Sequence, residues 1–131
     1  MKRLAALALV AFAPLAGAQD PLGQAAYFPS SSASLTAEAY ELLRAVAAAM
    51  QADPALRLEV EGHADTSASA ATNVPLAQQR ADAARDFLVS LGIEPGRLVA
   101  KGYGAYRTVN DNATLERRAY NRRVQFRRLE R

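Results

Sequence analysis

Hydrophobic positions along this chain recur with two different periods, and the switches between them mark its elements. Between Thr36 and Met50, the residues Ala39, Leu42, Leu43, Val46, Ala47 and Met50 fall at three- and four-residue spacing, the stripe of one helix face. Thr36 is a suitable N-cap, and Glu38 lies in the first turn, where the helix dipole favours negative charge. Asp53-Pro54 ends this helix, because the residue before a proline is pushed out of the helical region. From Leu56 to Glu61 the period changes to two, with Leu56, Leu58 and Val60 alternating against Arg57, Glu59 and Glu61, which predicts a half-buried strand. A second helix is expected from Asn73 or Val74, with Pro75 in its first turn. Its seam is Ala77, Ala81, Ala84, Leu88 and Leu91, closed by Gly92. Shorter strands are expected at Gln24 to Phe28, stopped by Pro29, and at Leu98 to Lys101, before the turn Gly102-Tyr103-Gly104. A short helix at Ala113 to Ala119 leads to a last strand, Asn121 to Leu129, with Val124 and Phe126 on one face. The order β-α-β-α-β-(α)-β predicts an α+β sandwich, a mixed four-stranded sheet with its helices packed on one face.

The start of the chain changes the picture of where this domain works. Lys2 and Arg3 precede an apolar run from Leu4 to Leu15, and Ala16-Gly17-Ala18 is a small-x-small cleavage signal. These three parts predict a secretory signal peptide over residues 1–18 and a single mature domain over 19–131, exported to a periplasm. The apolar run is shorter than the roughly 20 residues a membrane span needs, so no transmembrane segment is expected after cleavage. The chain has no cysteine, which excludes disulfides and lipid attachment through an N-terminal cysteine. Its net charge of +3 falls to +1 once Lys2 and Arg3 are removed. A nucleic-acid partner is not expected, given export and no stacking-platform pattern of aromatics. The C-terminal arginines, Arg127 and Arg128 among them, read as the solvated face of an edge strand.

Two charged residues carry the candidate chemistry. Arg80 lies about 40° from the centre of the apolar face of the second helix at 100° per residue. An arginine there either snorkels to solvent or meets an anion. Asp65 stands just past the predicted strand, so strand and helix together would bring a carboxylate and a guanidinium to one junction, a site for a zwitterion. Catalysis and metal binding are poorly supplied. His63 is the only histidine, no cysteine is present, and neither an EF-hand spacing nor a G-x-S-x-G elbow occurs. No cofactor is implied, and His63 reads as a hydrogen-bonded structural residue beside the Gly62 turn.

Five motifs in order resemble the OmpA-like C-terminal domain, a family that includes the peptidoglycan-associated lipoprotein and the flagellar stator protein B. They are Phe28-Pro29-Ser30-Ser31-Ser32-Ala33-Ser34-Leu35, Gly62-His63-Ala64-Asp65, Asn73-x-x-Leu76-Ala77-x-x-Arg80-Ala81, Gly102-Tyr103-Gly104 and Arg118-Ala119-Tyr120-Asn121-Arg122-Arg123-Val124. The resemblance spans about Gln24 to Leu129. It implies a non-enzymatic module that binds peptidoglycan through the diaminopimelate of the stem peptide, in the periplasm and associated with the outer membrane. By the same resemblance Asp65 takes the ligand's ammonium and Arg80 its carboxylate, Asn73 opens the second helix and bonds the peptide, Arg122 lies near the site, and Ser31 lines the opposite wall. Asp65→Ala and Arg80→Ala are accordingly expected to weaken binding to cell-wall sacculi with the fold intact. The chain departs from the family pattern at Ala64, Ala77 and Arg117, the first two lacking the usual hydroxyls. An envelope protein–protein adaptor with the same fold, using Arg127 and Arg128 on an outer-membrane or periplasmic partner, is the alternative.

Overall fold

In the computed structural model, which describes residues 20–66, 69–105, 118–119 and 121–129, both apolar stripes become helices. Helix α1 runs Ala37–Ala52, and its N-cap Thr36 accepts a hydrogen bond through Oγ1 from the Ala39 amide at 3.1 Å. Ala39, Leu43, Val46, Ala47 and Met50 are its buried stripe. The carbonyls left over at its end are met by Arg97. Nη2 of Arg97 donates to Met50 O at 2.8 Å and Asp53 O at 2.7 Å, and Nε donates to Leu56 O at 3.0 Å.

Helix α2 runs Ala70–Ser90, with Ser69 as N-cap. It therefore starts about one turn before the expected Asn73, and Pro75 lies inside it rather than in its first turn. The amides of Thr72 and Asn73 both donate to Ser69 O, which closes the early turn. Proline here forfeits only the bond to the Ala71 carbonyl, and Ala71 is exposed, so water can take that role. Gly92 follows the helix with φ of 100°, the left-handed conformation that glycine adopts at no steric cost.

The strands are β1 (Ala26–Tyr27), β2 (Leu58–Gly62), β3 (Leu98–Gly102) and β4 (Arg123–Arg128), in the spatial order β1-β4-β2-β3. β2 and β3 are parallel, and β4 runs antiparallel to both β2 and β1, so the sheet is mixed as expected. Leu58, Val60 and Val124 face Leu43, Val46, Met50, Ala81, Ala84 and Leu88 in one core. The expected helix at Ala113 to Ala119 falls outside the described residues except for Arg118 and Ala119, which are helical. The expected signal peptide also lies outside them. Among the described residues no helix is long and apolar enough to cross a membrane.

Two glycines set how closely α2 lies on the sheet. Gly62 and Gly102 are register partners on β2 and β3. A Cβ on Gly62 would overlap the Ala77 carbonyl oxygen and stand 2.9 Å from the Ala81 nitrogen, and one on Gly102 would overlap the Gln78 nitrogen. The helix backbone thus rests directly on the strand ends. Gln78 fastens it there, accepting from the Gly102 amide at 2.9 Å and donating to Ala100 O at 3.2 Å.

The face of the sheet turned away from α1 and α2 is less open than strict alternation predicts. All five residues of β2 are buried, Glu59 and Glu61 included. Their carboxylates are covered by β4 and the turn after β3. Tyr103 donates its hydroxyl to Glu59 at 2.6 Å, Arg127 pairs with Glu59 and Glu61 at 3.3 Å each, and Gln125 donates to Glu61 at 3.2 Å. Burial pushes the Glu59 carboxyl up, but Tyr103, Glu61 and Arg127 pull it down and win, leaving it below its usual 4.5. A carboxyl with a depressed folded pKa contributes stability that is present above the unfolded value and lost as pH falls through the folded one. Glu59→Gln is therefore expected to be less stable than wild type at pH 7, with the gap shrinking below about pH 4.5. Urea unfolding of both proteins at pH 7 and pH 3 measures this, and an equal gap at the two pH values would refute it.

Candidate functional site

Asp65 is carried past the end of β2 on backbone that remains tied to its neighbours. The His63 amide donates to Arg123 O at 2.8 Å and the Ala64 amide to Gly104 O at 2.8 Å. The Asp65 side chain is buried and meets Arg122, whose Nη1 stands 3.1 Å from Oδ2. Arg122 lies immediately before β4 and is anchored by its Nε, which donates to Phe28 O at 3.0 Å. In return the Phe28 amide donates to Arg122 O at 2.9 Å.

Arg80 does not snorkel, since it is 0% exposed, and its hydrogen bonds go to backbone carbonyls. Nε donates to Ser32 O at 2.8 Å, Nη1 to His63 O at 2.9 Å and Nη2 to Pro29 O at 3.1 Å. The Phe28 ring lies 5.3 Å from the guanidinium carbon, a cation–π contact. Burial lowers the Arg80 pKa to about 10, the Asp65 carboxylate opposing and Arg122 adding to the fall. The group is still a cation at neutral pH.

Ser31 sits exposed in the loop that Arg80 holds, with φ of 56°. A cavity of about 300 Å³ separates this loop from the first turns of α2, lined by Ser31, Ala71, Thr72, Pro75, Leu76 and Gln79. Asn73 does not open the helix as expected. It is the fourth residue of α2 and is buried. The structure thus brings Asp65, Arg80 and Arg122 into one charged cluster, sets Ser31 across a neighbouring cavity, and keeps Asn73 inside. Ala64 and Ala77 are buried as well, so the hydroxyls missing there are missing from the helix–sheet seam.

His63 is buried, with its Nε2 3.4 Å from Glu61 Oε1 and its ring stacked on Tyr103 at 5.5 Å between centroids. Its carbonyl serves Arg80, a role no side-chain pattern signals. Among the described residues, no group of three or more His, Cys, Asp or Glu side chains is arranged to hold a metal ion.

A two-layer α+β domain with an aspartate after the second strand and a buried arginine on the facing helix defines a class. The chain belongs to the OmpA family, whose model matches residues 27–122. It is 37% identical over 99 residues to the peptidoglycan-binding protein ArfA of Mycobacterium tuberculosis, a match covering 76% of this chain and 30% of that protein. It is 41% identical over 99 residues to outer membrane porin F of Pseudomonas aeruginosa, covering 75% and 28%. The chain thus spans less than a third of the length of these two curated relatives. The crystal structure of the peptidoglycan-associated lipoprotein from Burkholderia pseudomallei superposes with a TM-score of 0.81 at 26% identity, covering 88% of this chain and 99% of that one.

Proposed function

We propose that this domain is an exported, non-enzymatic tether that binds peptidoglycan through the diaminopimelate of the stem peptide. The observation that carries the reading is the Asp65–Arg122 ion pair beside Arg80, a buried cluster of both signs at the strand–helix junction. The far centre of meso-diaminopimelate bears an ammonium and a carboxylate on one carbon. In this reading Asp65 takes the ammonium, and Arg80 and Arg122 supply positive charge for the carboxylate. Ser31 and Asn73 flank the peptide. Family membership supports the reading, as do the names of ArfA and the peptidoglycan-associated lipoprotein. Residues 1–18 would act as the signal peptide that delivers the domain to the periplasm.

The adaptor alternative has less to stand on. It relies on a basic C-terminal strand, but Arg127 is paired with Glu59 and Glu61, and Arg128 stands 3.1 Å from Asp20. The test is co-sedimentation with purified sacculi. Wild type is expected to pellet with the wall and Asp65→Asn to remain largely in the supernatant, binding at least about tenfold more weakly because the ammonium loses its charged acceptor. Asp65→Asn pelleting like wild type would overturn the assignment of the site.

A further inference from the structure

We infer that the side chain of Gln78 stands in for a missing strand: it caps the free edge of β3 and keeps a second copy of this chain from pairing there edge to edge.

Among the described residues, the order β1-β4-β2-β3 leaves β1 and β3 as the two edges of the sheet. A strand edge is a row of backbone donors and acceptors, and an uncovered one is a template for another chain. β1 is a poor template, since it is two residues long and Pro29 follows shortly after it. β3 is a better one. It has five residues and no proline, Val99 on it is exposed, and Lys101 is its one charge.

The ladder with β2 decides which backbone groups of β3 face outward. The Tyr103 amide donates to Gly62 O at 2.9 Å, so by alternation Val99 and Lys101 also turn their amides and carbonyls toward β2. Those of Leu98, Ala100 and Gly102 point away from the sheet. The Leu98 amide is taken locally, by Pro95 O. The other two residues are met by Gln78, whose Nε2 donates to Ala100 O at 3.2 Å and whose Oε1 accepts from the Gly102 amide at 2.9 Å. A further parallel strand would satisfy the same carbonyl and amide with the N–H and C=O of one residue. The carboxamide offers that donor and that acceptor from a helix.

Its orientation is fixed by its surroundings. The second hydrogen of Nε2 goes to Asp82 Oδ1 at 3.1 Å, one turn further along α2. Turned over, the amide would set its oxygen against a carbonyl and a carboxylate, and its nitrogen against an N–H. A glutamate could still accept from Gly102, but when ionised it has no hydrogen for Ala100 O or Asp82. Gly102 completes the arrangement. Because it lacks a Cβ, the Gln78 backbone lies directly on it, and the side chain starts beside the edge that it covers.

A second copy fits the uncapped edge through a two-fold axis, with the two β3 strands antiparallel, because the same patch then meets itself. Hydrogen-bonded pairs must join outward-facing residues, so the register that uses the whole strand centres on Ala100. It sets Val99 of each copy opposite Lys101 of the other, where the valine meets the apolar stem of the lysine.

Sedimentation velocity of the purified protein over a wide concentration range tests this. Wild type is expected to remain a monomer throughout. Gln78→Ala should move toward the mass of a dimer as concentration rises. Adding Val99→Lys to Gln78→Ala should restore the monomer, since lysines then oppose each other across the pair. Circular dichroism melts establish that each variant is folded. If Gln78→Ala does not fold, Gln78→Glu takes its place, keeping the shape, losing the donor and associating at neutral pH. A glutamine that merely braces α2 on the sheet would, when replaced, lower the melting temperature with no concentration dependence of the mass, and that result overturns the inference. So does association that Val99→Lys leaves unchanged, or a wild type that already associates.

Discussion

Gly62→Ala is expected to lower stability by about 3 kcal/mol or more, the upper range for forcing extra volume into a packed seam. The added methyl has nowhere to go. It would overlap the Ala77 carbonyl oxygen and crowd the Ala81 nitrogen, both backbone atoms of α2, so relief requires moving the helix off the sheet rather than turning a side chain. That movement also separates Arg80, on the same helix, from its carbonyls on the other elements. Scanning calorimetry should show the unfolding midpoint falling by about 10 °C or more in a domain of this size. Gly96→Ala is the control, since nothing lies within 4 Å of a Cβ there. It should melt close to wild type. A Gly62→Ala midpoint within about 2 °C of wild type would mean that the helix does not sit this close.

Arg80→Ala is expected to destabilise the fold by about 3–5 kcal/mol, the usual cost of removing one partner from a buried charged network. Three carbonyls lose their donor, a cavity opens beside Phe28, and Asp65 loses a neighbouring positive charge. Arg80→Lys should recover part of this, because an ammonium reaches some of the same oxygens without the planar fork. Urea denaturation followed by circular dichroism measures both variants, and an Arg80→Ala midpoint equal to wild type would show that the carbonyl cage stabilises nothing. This revises the expectation that Arg80→Ala weakens wall binding with the fold intact. A binding loss in that variant reports on the loop and the fold together. Asp65→Asn, which keeps the side chain's shape, is the cleaner probe.

The elements that were legible in the sequence are those with strong local signals. The apolar stripe of α1, its Thr36 cap and the proline after its end give that helix to within a residue. The start of α2 was not legible, because Ser69 to Thr72 carries no apolar periodicity and Pro75 reads naturally as a first-turn residue. Alternation along β2 placed Leu58 and Val60 on the core side. It could not reveal that Glu59 and Glu61 are buried too, since the covering groups, Tyr103 in the turn after β3 and Arg127 on β4, come from segments far away in the chain. The candidate site divides in the same way. Arg80 was conspicuous as a charge near an apolar seam, and Asp65 as a carboxylate at a strand end. The acceptors of Arg80 are backbone carbonyls, which leave no trace in residue identity. The Asp65–Arg122 pair spans 57 positions and depends on where β4 enters the sheet, a matter of topology that periodicity does not encode.

The strand order β1-β4-β2-β3 also has a consequence in time. β1, near the start of the domain, joins the sheet only through β4, the last strand to be made. A ribosome that has released everything up to Gly104 has delivered both helices and three strands. β1 then has no neighbour, and one edge of β2 lies bare. Arg122, which supplies the bond to Asp65, is also still missing. The native sheet therefore closes only after the chain has been synthesised past Arg128, and its decisive pairing links residues about 100 positions apart, a long-range contact of the kind that slows folding. A nascent chain of this design has β1 unpaired until β4 is made, the open form that the proposed export requires.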